Sequence, residues 1–242
     1  MVNEMIRLPH PSEVQKASER ISPSDQMAAE NEFTVMRKRM VAEQIAGRGI
    51  QDVRVLAAMG TVPRHCFIPP DDLAWAYADG PLPIGFGQTI SQPYIVALMT
   101  ELLEVEAADR VLEVGCGCGY QAAVLAELAA EVHTIEVIPE LAQQAEKNLA
   151  GMGYTTIHIH ITDGSAGWPA AAPYQRILVA AAAPQAPQPL LDQLVDGGQM
   201  VIPVGERRVQ KLEVWKRIGK RFDRRVNLEV CFVPLRGRYG WK

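Results

Sequence analysis

Three glycines at alternate positions, Gly115, Gly117 and Gly119, stand directly after a short apolar run. Glycine has no Cβ, so the backbone can bend sharply behind a strand and pass close to a ligand without a steric clash. A turn without a ligand is the alternative, but each glycine costs stability, and a plain turn does not need three of them. The spacing therefore favours a nucleotide-binding turn that leads from a strand into a helix.

The spacing of these glycines also separates two kinds of nucleotide site. A dinucleotide fingerprint, Gly-x-Gly-x-x-Gly, would place its third glycine at position 120, where this chain has Tyr120. Glu136 ends the next predicted strand, 21 residues after Gly115. A carboxylate there can accept hydrogen bonds from both hydroxyls of a ribose, although a solvated acid at a strand end is the alternative. The pattern resembles that of S-adenosylmethionine-dependent methyltransferases, and we expect S-adenosylmethionine as the cofactor.

Two further polar residues are candidates for a site, and each has an ordinary structural explanation. Ser91 stands two residues before Pro93 at the start of a predicted helix, which is a natural N-cap position. Asp163 follows a strand that ends at Ile161, so its carboxylate could accept a hydrogen bond from an adenine amino group. Asp163 and Gly164 also form a common turn sequence. The residues alone leave both alternatives open.

The elements that position these residues alternate between strand and helix. We predict strands at residues 110–114, 131–136, 156–161, 176–179 and 199–204, and helices at residues 91–103, 120–129, 139–149 and 189–194. Alternation of this kind gives a mostly parallel sheet with helices on both faces. Residues 209–216 and 226–233 alternate apolar with polar side chains and predict a terminal antiparallel pair. The predicted fold is α/β: a doubly wound, mostly parallel seven-stranded sheet of the Rossmann-like methyltransferase type.

The part of the chain before this alternation is predicted to form a helical cap. Residues 1–31 are polar and lack a sustained period, so we expect a flexible or late-packing extension. Residues 32–242 are expected to form one methyltransferase domain, with a substrate-side cap at 32–90 and a cofactor-binding core at 91–242. Helices are predicted from Phe33 to the glycines at 47 and 49, and at residues 52–59. The prolines up to Gln88 indicate loops and short helices rather than a sheet.

Composition narrows the class of protein. With 242 residues, 48% hydrophobic and a net charge of −4, the chain has the composition of an ordinary soluble globular protein rather than that of a general nucleic-acid binder. Residues 206–225 carry nine Lys or Arg against three Asp or Glu, which we interpret as a solvated hairpin face rather than a binding patch. His158 and His160 are interpreted as exposed or packed polar positions. Cys116 and Cys118 are interpreted as small residues in a tight bend. We therefore expect no metal site. Without a membrane-length apolar run or a signal-peptide core, we expect a cytoplasmic protein, monomeric and without a membrane or nucleic-acid partner.

From about residue 36 to residue 241 the chain resembles protein-L-isoaspartate O-methyltransferases. The most specific block is Gly-Phe-Gly-Gln-Thr-Ile-Ser-Gln-Pro at residues 85–93, which a generic methyltransferase does not need. Further matches are Val-Pro-Arg at 62–64, Phe-Ile-Pro at 67–69, Leu-Pro-Ile-Gly at 82–85, the glycine turn at 111–121, Asp-Gly at 163–164 and Pro-Val-Gly at 203–205. The resemblance implies methyl transfer from S-adenosylmethionine to the free α-carboxyl of L-isoaspartyl residues in damaged peptides and proteins. The ester then collapses to a succinimide, whose hydrolysis returns some normal aspartate.

The resemblance also implies the site residues. The catalytic residue is Ser91, and the cofactor-binding residues are Ile90, Gly115, Gly117, Gly119, Glu136, Asp163 and Gly164. The acceptor carboxylate, with a pKa of about 4, is already ionised near neutrality, so no general base is required. The Ser91 hydroxyl could aim one carboxylate oxygen at the methyl carbon while backbone groups around Ile90 hold the peptide extended.

The chain departs from the family pattern at Gln175, where Asp is usual, and at Thr162, where glycine is common. Gln175 puts in doubt any role of a carboxylate at that point. Three alternatives therefore stay open: a methyltransferase for a small molecule or RNA, supported only by the basic stretch; a binding module that has lost turnover; and an oxidoreductase, which Tyr120 disfavours.

Overall fold

The computed structural model describes residues 23–241, and its first element is a helix that begins earlier than the sequence predicts. Helix α1 spans Pro23–Arg39, continues as a π-helical turn at Met40–Ile45 and a 3-10 turn at Ala46–Arg48, and stops at Gly49. Gly49 has φ of 98°, a left-handed conformation that favours glycine. Residues 23–31, predicted as part of an extension, are thus helical, and residues 1–22 lie outside the described residues.

The cap contains a short sheet that the sequence analysis did not predict. Helix α2, Val53–Thr61, and the 3-10 turns Arg64–Phe67 and Pro70–Trp75 match the predicted short helices. Strands β1, Leu82–Gly85, and β2, Gln88–Ile90, then form an antiparallel hairpin. The prediction of a cap without a sheet is wrong. Left-handed backbone at Gly85 and Gly87 lets the chain reverse direction within a tight turn.

The core alternates strand and helix as predicted. Its elements are α3 Pro93–Leu103, β3 Arg110–Val114, α4 Tyr120–Ala126, β4 Glu131–Glu136, α5 Pro139–Gly151, β5 Ile157–Ile161, β6 Tyr174–Val179, α6 Gln188–Asp192, β7 Leu194–Gly205, β8 Gln210–Ile218 and β9 Arg221–Val230. The seven strands from β3 to β9 form one sheet in the order β5-β4-β3-β6-β7-β8-β9. Strands β3 to β7 pair in parallel, whereas β8 and β9 are antiparallel. The predicted fold class is confirmed.

Both faces of the sheet are buried, so its central strands carry apolar side chains on both faces. Leu112, Ile177 and Met200 belong to the core on one face, while Val111 and Leu178 belong to the core on the other. Each fully buried aliphatic side chain stabilises the fold by about 2 kcal/mol relative to an exposed one. Within residues 23–241, no helix is both long and apolar enough to span a bilayer.

The strand order reverses beside β3, and this reversal positions the site. The chain runs from β3 to β4 and β5 on one side, and it returns to β6 and β7 on the other side. The loops that leave the carboxyl ends of β3 and β6 therefore diverge and open a crevice between them. In open α/β sheets, ligands bind at such a switch point.

Candidate active site

The glycine turn after β3 has the backbone that its composition predicts. Gly115, Gly117 and Gly119 have φ of 96°, 55° and 92°, all in the region that side chains with a Cβ rarely adopt. A Cβ on Gly117 would lie 3.1 Å from Ile84 of the hairpin. A Cβ on Gly119 would lie 3.2 Å from Leu149 of α5. The three glycines thus allow both the reversal of the chain and its close packing beneath the hairpin and against α5.

Glu136, at the end of β4, holds this turn in place. Its Oε2 accepts a hydrogen bond from the Gly117 N–H at 2.8 Å, and its Oε1 accepts from the N–H groups of Val137 and Ile138 at 2.9 and 3.0 Å. Glu136 is only 7% exposed, so these hydrogen bonds to an ionised group compensate its desolvation. The carboxylate therefore connects the turn after β3 to the turn after β4.

A cleft opens at the switch point, between the glycine turn and the cap. Six of the eight residues predicted for the site line it: Ile90, Ser91, Gly115, Gly117, Glu136 and Gly164. Gly119 and Asp163 do not line it. The sequence analysis did not name Ala180 and Val233, which line the cleft too. The available signal for Ala180 was its place directly after β6, at the carboxyl edge of the sheet.

The carboxylate of Asp163 faces the protein rather than the cleft. Its Oδ1 accepts hydrogen bonds from the backbone N–H and the hydroxyl of Ser165 at 2.9 and 2.6 Å, and its Oδ2 accepts from the Arg238 N–H at 2.7 Å. Burial acts to raise the pKa of Asp163, but these hydrogen bonds outweigh it and lower the pKa below its ordinary value. Asp163 thus attaches the C-terminal segment to the turn that contains Gly164, which lines the cleft.

Ser91 lies between the cleft and a second groove. The groove runs between the cap and the segment that follows β9, and both cavities share Thr89, Ser91, Ala180 and Val233 on their walls. Helix α3 has Gln92 at its N-cap position and Pro93 as its first residue, so Ser91 is not the N-cap. Among the described residues, the Ser91 hydroxyl has no hydrogen-bond partner, which leaves it available to a bound molecule.

A buried acid beneath the turn escaped the sequence analysis. Glu113 of β3 is fully buried, and its Oε2 accepts a hydrogen bond of 2.5 Å from the Thr134 hydroxyl. Burial raises the pKa of Glu113 to about 8, the Thr134 hydrogen bond opposes this shift, and the charge of Glu136 adds to it. Glu113 is therefore mostly neutral at pH 7. Nothing in its local sequence distinguishes a buried acid from one at a strand edge.

The residues of the cleft fit an adenosyl group. Val137, Ile138 and Leu235 supply apolar wall for a planar ring, and the glycine turn presents backbone without side chains at 115 and 117. Oε2 of Glu136 accepts one hydrogen bond from the protein and keeps a lone pair for a ribose hydroxyl. A mainly apolar cleft with a few polar groups is typical of cofactor sites.

Comparison with known proteins decides which adenosyl chemistry this is. The protein family described as Protein-L-isoaspartate(D-aspartate) O-methyltransferase matches residues 35–240. The protein-L-isoaspartate O-methyltransferase of Methanoregula boonei is 58% identical over 206 residues, which cover 85% of this chain and 95% of the relative. This chain belongs to the protein-L-isoaspartate O-methyltransferase family. It is an S-adenosylmethionine-dependent enzyme, and its reaction is the methylation of isoaspartyl residues.

Further relatives of this methyltransferase agree with the assignment. The protein of the same name from Picosynechococcus is 54% identical over 85% of this chain and 93% of the relative. A solved protein-L-isoaspartate O-methyltransferase has a TM-score of 0.76 and 27% identity over 84% of this chain and 67% of its own. A Plasmodium falciparum structure, described as a protein of this kind in complex with S-adenosyl-L-homocysteine, has a TM-score of 0.72 and 25% identity over 83% of this chain and 98% of its own. The predicted family, enzyme class and cofactor are confirmed.

The family departure at Gln175 lies away from the cleft. Gln175 is at the start of β6, and its side-chain oxygen accepts a hydrogen bond from the Arg110 N–H at 2.9 Å. Arg110 begins β3, so this contact is at the amino edge of the sheet, opposite the glycine turn. An amide oxygen accepts this bond as a carboxylate would. The change from Asp therefore leaves the residues that line the cleft untouched.

Proposed function

We propose that methyl transfer in this enzyme takes place beside Ser91, with the donor in the cleft and the isoaspartyl peptide in the groove. The observation that carries the proposal is the shared wall: Thr89, Ser91, Ala180 and Val233 line both cavities. A donor in the cleft and an acceptor in the groove therefore approach each other at these shared residues. Such fixed alignment is the main contribution an enzyme can make to a reaction that needs no proton transfer.

The chemistry asks little of the side chains beyond alignment. When bound, S-adenosylmethionine supplies an electrophilic methyl group on a sulfonium. The Ser91 hydroxyl, otherwise without a partner among the described residues, donates a hydrogen bond to one oxygen of the acceptor carboxylate and so orients the other oxygen. Ile90, buried beside Ser91, fixes the backbone at this point. Because the acceptor is ionised near neutrality, Ser91 does not act as a base.

The remaining site residues are assigned to the donor side. Glu136 offers the free lone pair of Oε2 to the ribose while it holds the Gly117 N–H. Gly115 and Gly117 keep the wall free of side chains, and Gly119 allows the turn to pack on α5. Gly164 leaves space beside Val114, because a Cβ there would lie 2.6 Å from that side chain. Asp163 supports the turn that contains Gly164 through its hydrogen bonds to Ser165 and Arg238.

We further propose that the enzyme acts as a cytoplasmic monomer. Its four cysteines are unpaired, with Cys66 and Cys231 exposed. Exposed free thiols fit a reducing compartment better than an oxidising one.

Matched peptides test the proposed function. One peptide carries a single L-isoaspartyl residue, its twin carries normal aspartate at the same position, and methyl transfer is followed with labelled S-adenosylmethionine. We expect label only on the isoaspartyl peptide, and we expect Ser91→Ala to lower that signal without lowering donor affinity. Equal labelling of both peptides, or undiminished turnover by folded Ser91→Ala, would contradict the proposal.

A further inference from the structure

Arg48, at the mouth of the acceptor groove, is held in a fixed position by the end of the first helix. It closes the 3-10 turn Ala46–Arg48, which Gly49 ends in a left-handed conformation. Ile45 and Ile50 on either side are buried, and the Ile50 N–H donates to the Ile45 carbonyl at 3.4 Å. The backbone that carries Arg48 is therefore anchored in the core, although the side chain is 43% exposed.

The guanidinium of Arg48 is oriented by two contacts. Its plane lies over the Tyr94 ring, 3.7 Å from the ring centre. Its Nη1 donates to both carboxylate oxygens of Asp79, at 3.1 and 3.3 Å. Asp79 is itself held by the Gln92 side chain, whose Nε2 donates to Oδ1 at 2.8 Å. Gln92 directly follows Ser91, so the network connects Arg48 to the catalytic segment.

These contacts use only part of the guanidinium. Among residues 30–241, whose side chains the structure describes, Nε and Nη2 of Arg48 donate to no protein acceptor. Arginine carries its donors in a planar fork that matches a carboxylate. Arg48 lines the acceptor groove but not the donor cleft. The fork is thus placed where a bound peptide would lie, on the far side of Ser91 from the cofactor.

We propose that Arg48 is a specificity-determining residue that binds a carboxylate of the acceptor peptide, on a residue next to the isoaspartyl. The inference rests on the proposed function, because it needs the peptide in this groove. The reacting carboxylate belongs at Ser91, on the wall shared with the donor cleft, so the carboxylate bound by Arg48 is a second one. The opposite wall carries the exposed Glu229, which disfavours an acidic peptide side chain there. We therefore expect the enzyme to prefer an acidic residue on only one side of the isoaspartyl residue.

Peptides that differ by one charge test this inference. In a set of isoaspartyl peptides, Glu or Gln is placed at each of the three positions before and after the isoaspartyl residue. We expect kcat/KM of the wild type to favour Glu over Gln by about threefold to tenfold at a position on one flank only. Higher salt should reduce this ratio, because the Arg48 side chain is partly exposed.

The variants assign the preference to Arg48. In Arg48→Gln the ratio should fall to about one, and in Arg48→Lys, which keeps the charge but loses the fork, it should fall between the two values. Arg39→Gln is the matched control, since Arg39 is an exposed arginine paired to Glu43 and outside both cavities. That variant should keep the wild-type ratio.

The possible outcomes separate the inference from the proposed function. A wild-type ratio of one at all six positions overturns the inference, and so does a preference that survives in Arg48→Gln. In either case the proposed function stands if the Gln peptides are still methylated and their aspartyl twins are not. If no isoaspartyl peptide is methylated, the proposed function fails first.

Discussion

At the scale of single residues, the Ser91 hydroxyl is free of the protein that surrounds it. It caps no helix and has no described hydrogen-bond partner, so its removal disrupts no internal contact. We predict that Ser91→Ala lowers kcat/KM on an isoaspartyl peptide. The decrease should correspond to a loss of about 1 to 3 kcal/mol of transition-state stabilisation. The melting temperature should stay within a degree or two of the wild type. Unchanged kcat/KM in the folded variant would remove Ser91 from the mechanism.

Glu113 gives a second prediction at this scale, and its sign follows from the raised pKa. Burial in the folded protein favours the neutral form of Glu113, whereas in the unfolded chain Glu113 ionises with its ordinary pKa of 4.5. The folded state therefore holds an extra proton between that pH and about 8, and stability is lost as pH rises through this range. Glu113→Gln should stabilise the protein progressively over the same interval.

Urea denaturation at pH 5 and pH 8 measures this effect. Thr134→Val is a useful companion, because it leaves Glu113 buried without its hydrogen-bond donor. If the gain from Glu113→Gln is the same at both pH values, Glu113 is not neutral in the folded enzyme.

Some residues of the site could be identified from sequence and others could not. The glycines after β3 and Glu136 after β4 stand at fixed places relative to strands, so spacing alone predicted their neighbourhood. Whether Asp163 faces the cleft or the protein depends on Ser165 and Arg238, and Arg238 is 75 residues away. Local sequence does not contain such long-range contacts. Arg48 was missed for the same reason, since Asp79 and Tyr94 meet it only in the folded chain.

At the scale of elements, strand bounds were predictable where both faces of a strand are buried. β3 and β4 begin and end at the predicted residues, because the glycine turn follows β3, a helix that starts with Pro139 follows β4, and both strands bury side chains on their two faces. The β1–β2 hairpin was missed because strands of four and three residues, with Pro83 and Gly85 among them, are too short to show alternation. The start of α1 was missed because residues 23–31 are polar and lack a helical period.

The glycine turn gives the prediction at this scale. Gly117→Ala places a Cβ in a left-handed backbone and 3.1 Å from Ile84. Gly153→Ala is the matched control, because Gly153 has φ of 79°, yet its Cβ would meet nothing within 4 Å. Both variants should lose about 1 to 2 kcal/mol of stability from the backbone alone. Only Gly117→Ala should also weaken binding of S-adenosyl-L-homocysteine, by about tenfold, which corresponds to about 1.4 kcal/mol.

Calorimetric titration of both variants gives the answer. Wild-type affinity in Gly117→Ala would show that the turn does not contact the donor. An equal loss of affinity in Gly153→Ala would attribute the effect to general destabilisation.

At the scale of the whole molecule, two histidines on neighbouring strands, His133 and His160, affect stability in acid. His133 Nδ1 lies 3.0 Å from His160 Nε2, and His133 and His158 both approach Glu131, at 3.3 and 3.2 Å. Burial lowers the pKa of His133, against the pull of Glu131, and burial together with His133 lowers the pKa of His160. These two histidines therefore bind protons more readily in the unfolded chain, where their pKa is 6.5, than in the folded protein. Stability falls as pH drops through 6.5.

We predict that the melting temperature decreases from pH 7 to pH 5.5 and that His133→Gln combined with His160→Gln makes this decrease smaller. Scanning calorimetry at the two pH values measures both curves. A slope that is the same in the double variant and the wild type would contradict the assignment.

In the proposed mechanism two cavities meet at one serine, and a ternary crystal structure would show whether donor and acceptor bind there. The enzyme is crystallised with S-adenosyl-L-homocysteine and an isoaspartyl peptide. We expect the adenosyl group under the glycine turn with its ribose on Glu136, and the free α-carboxylate of the isoaspartyl residue on the Ser91 hydroxyl, facing the homocysteine sulfur. A peptide bound outside the groove, or an α-carboxylate that faces away from the sulfur with Ser91 unengaged, would contradict the central claim.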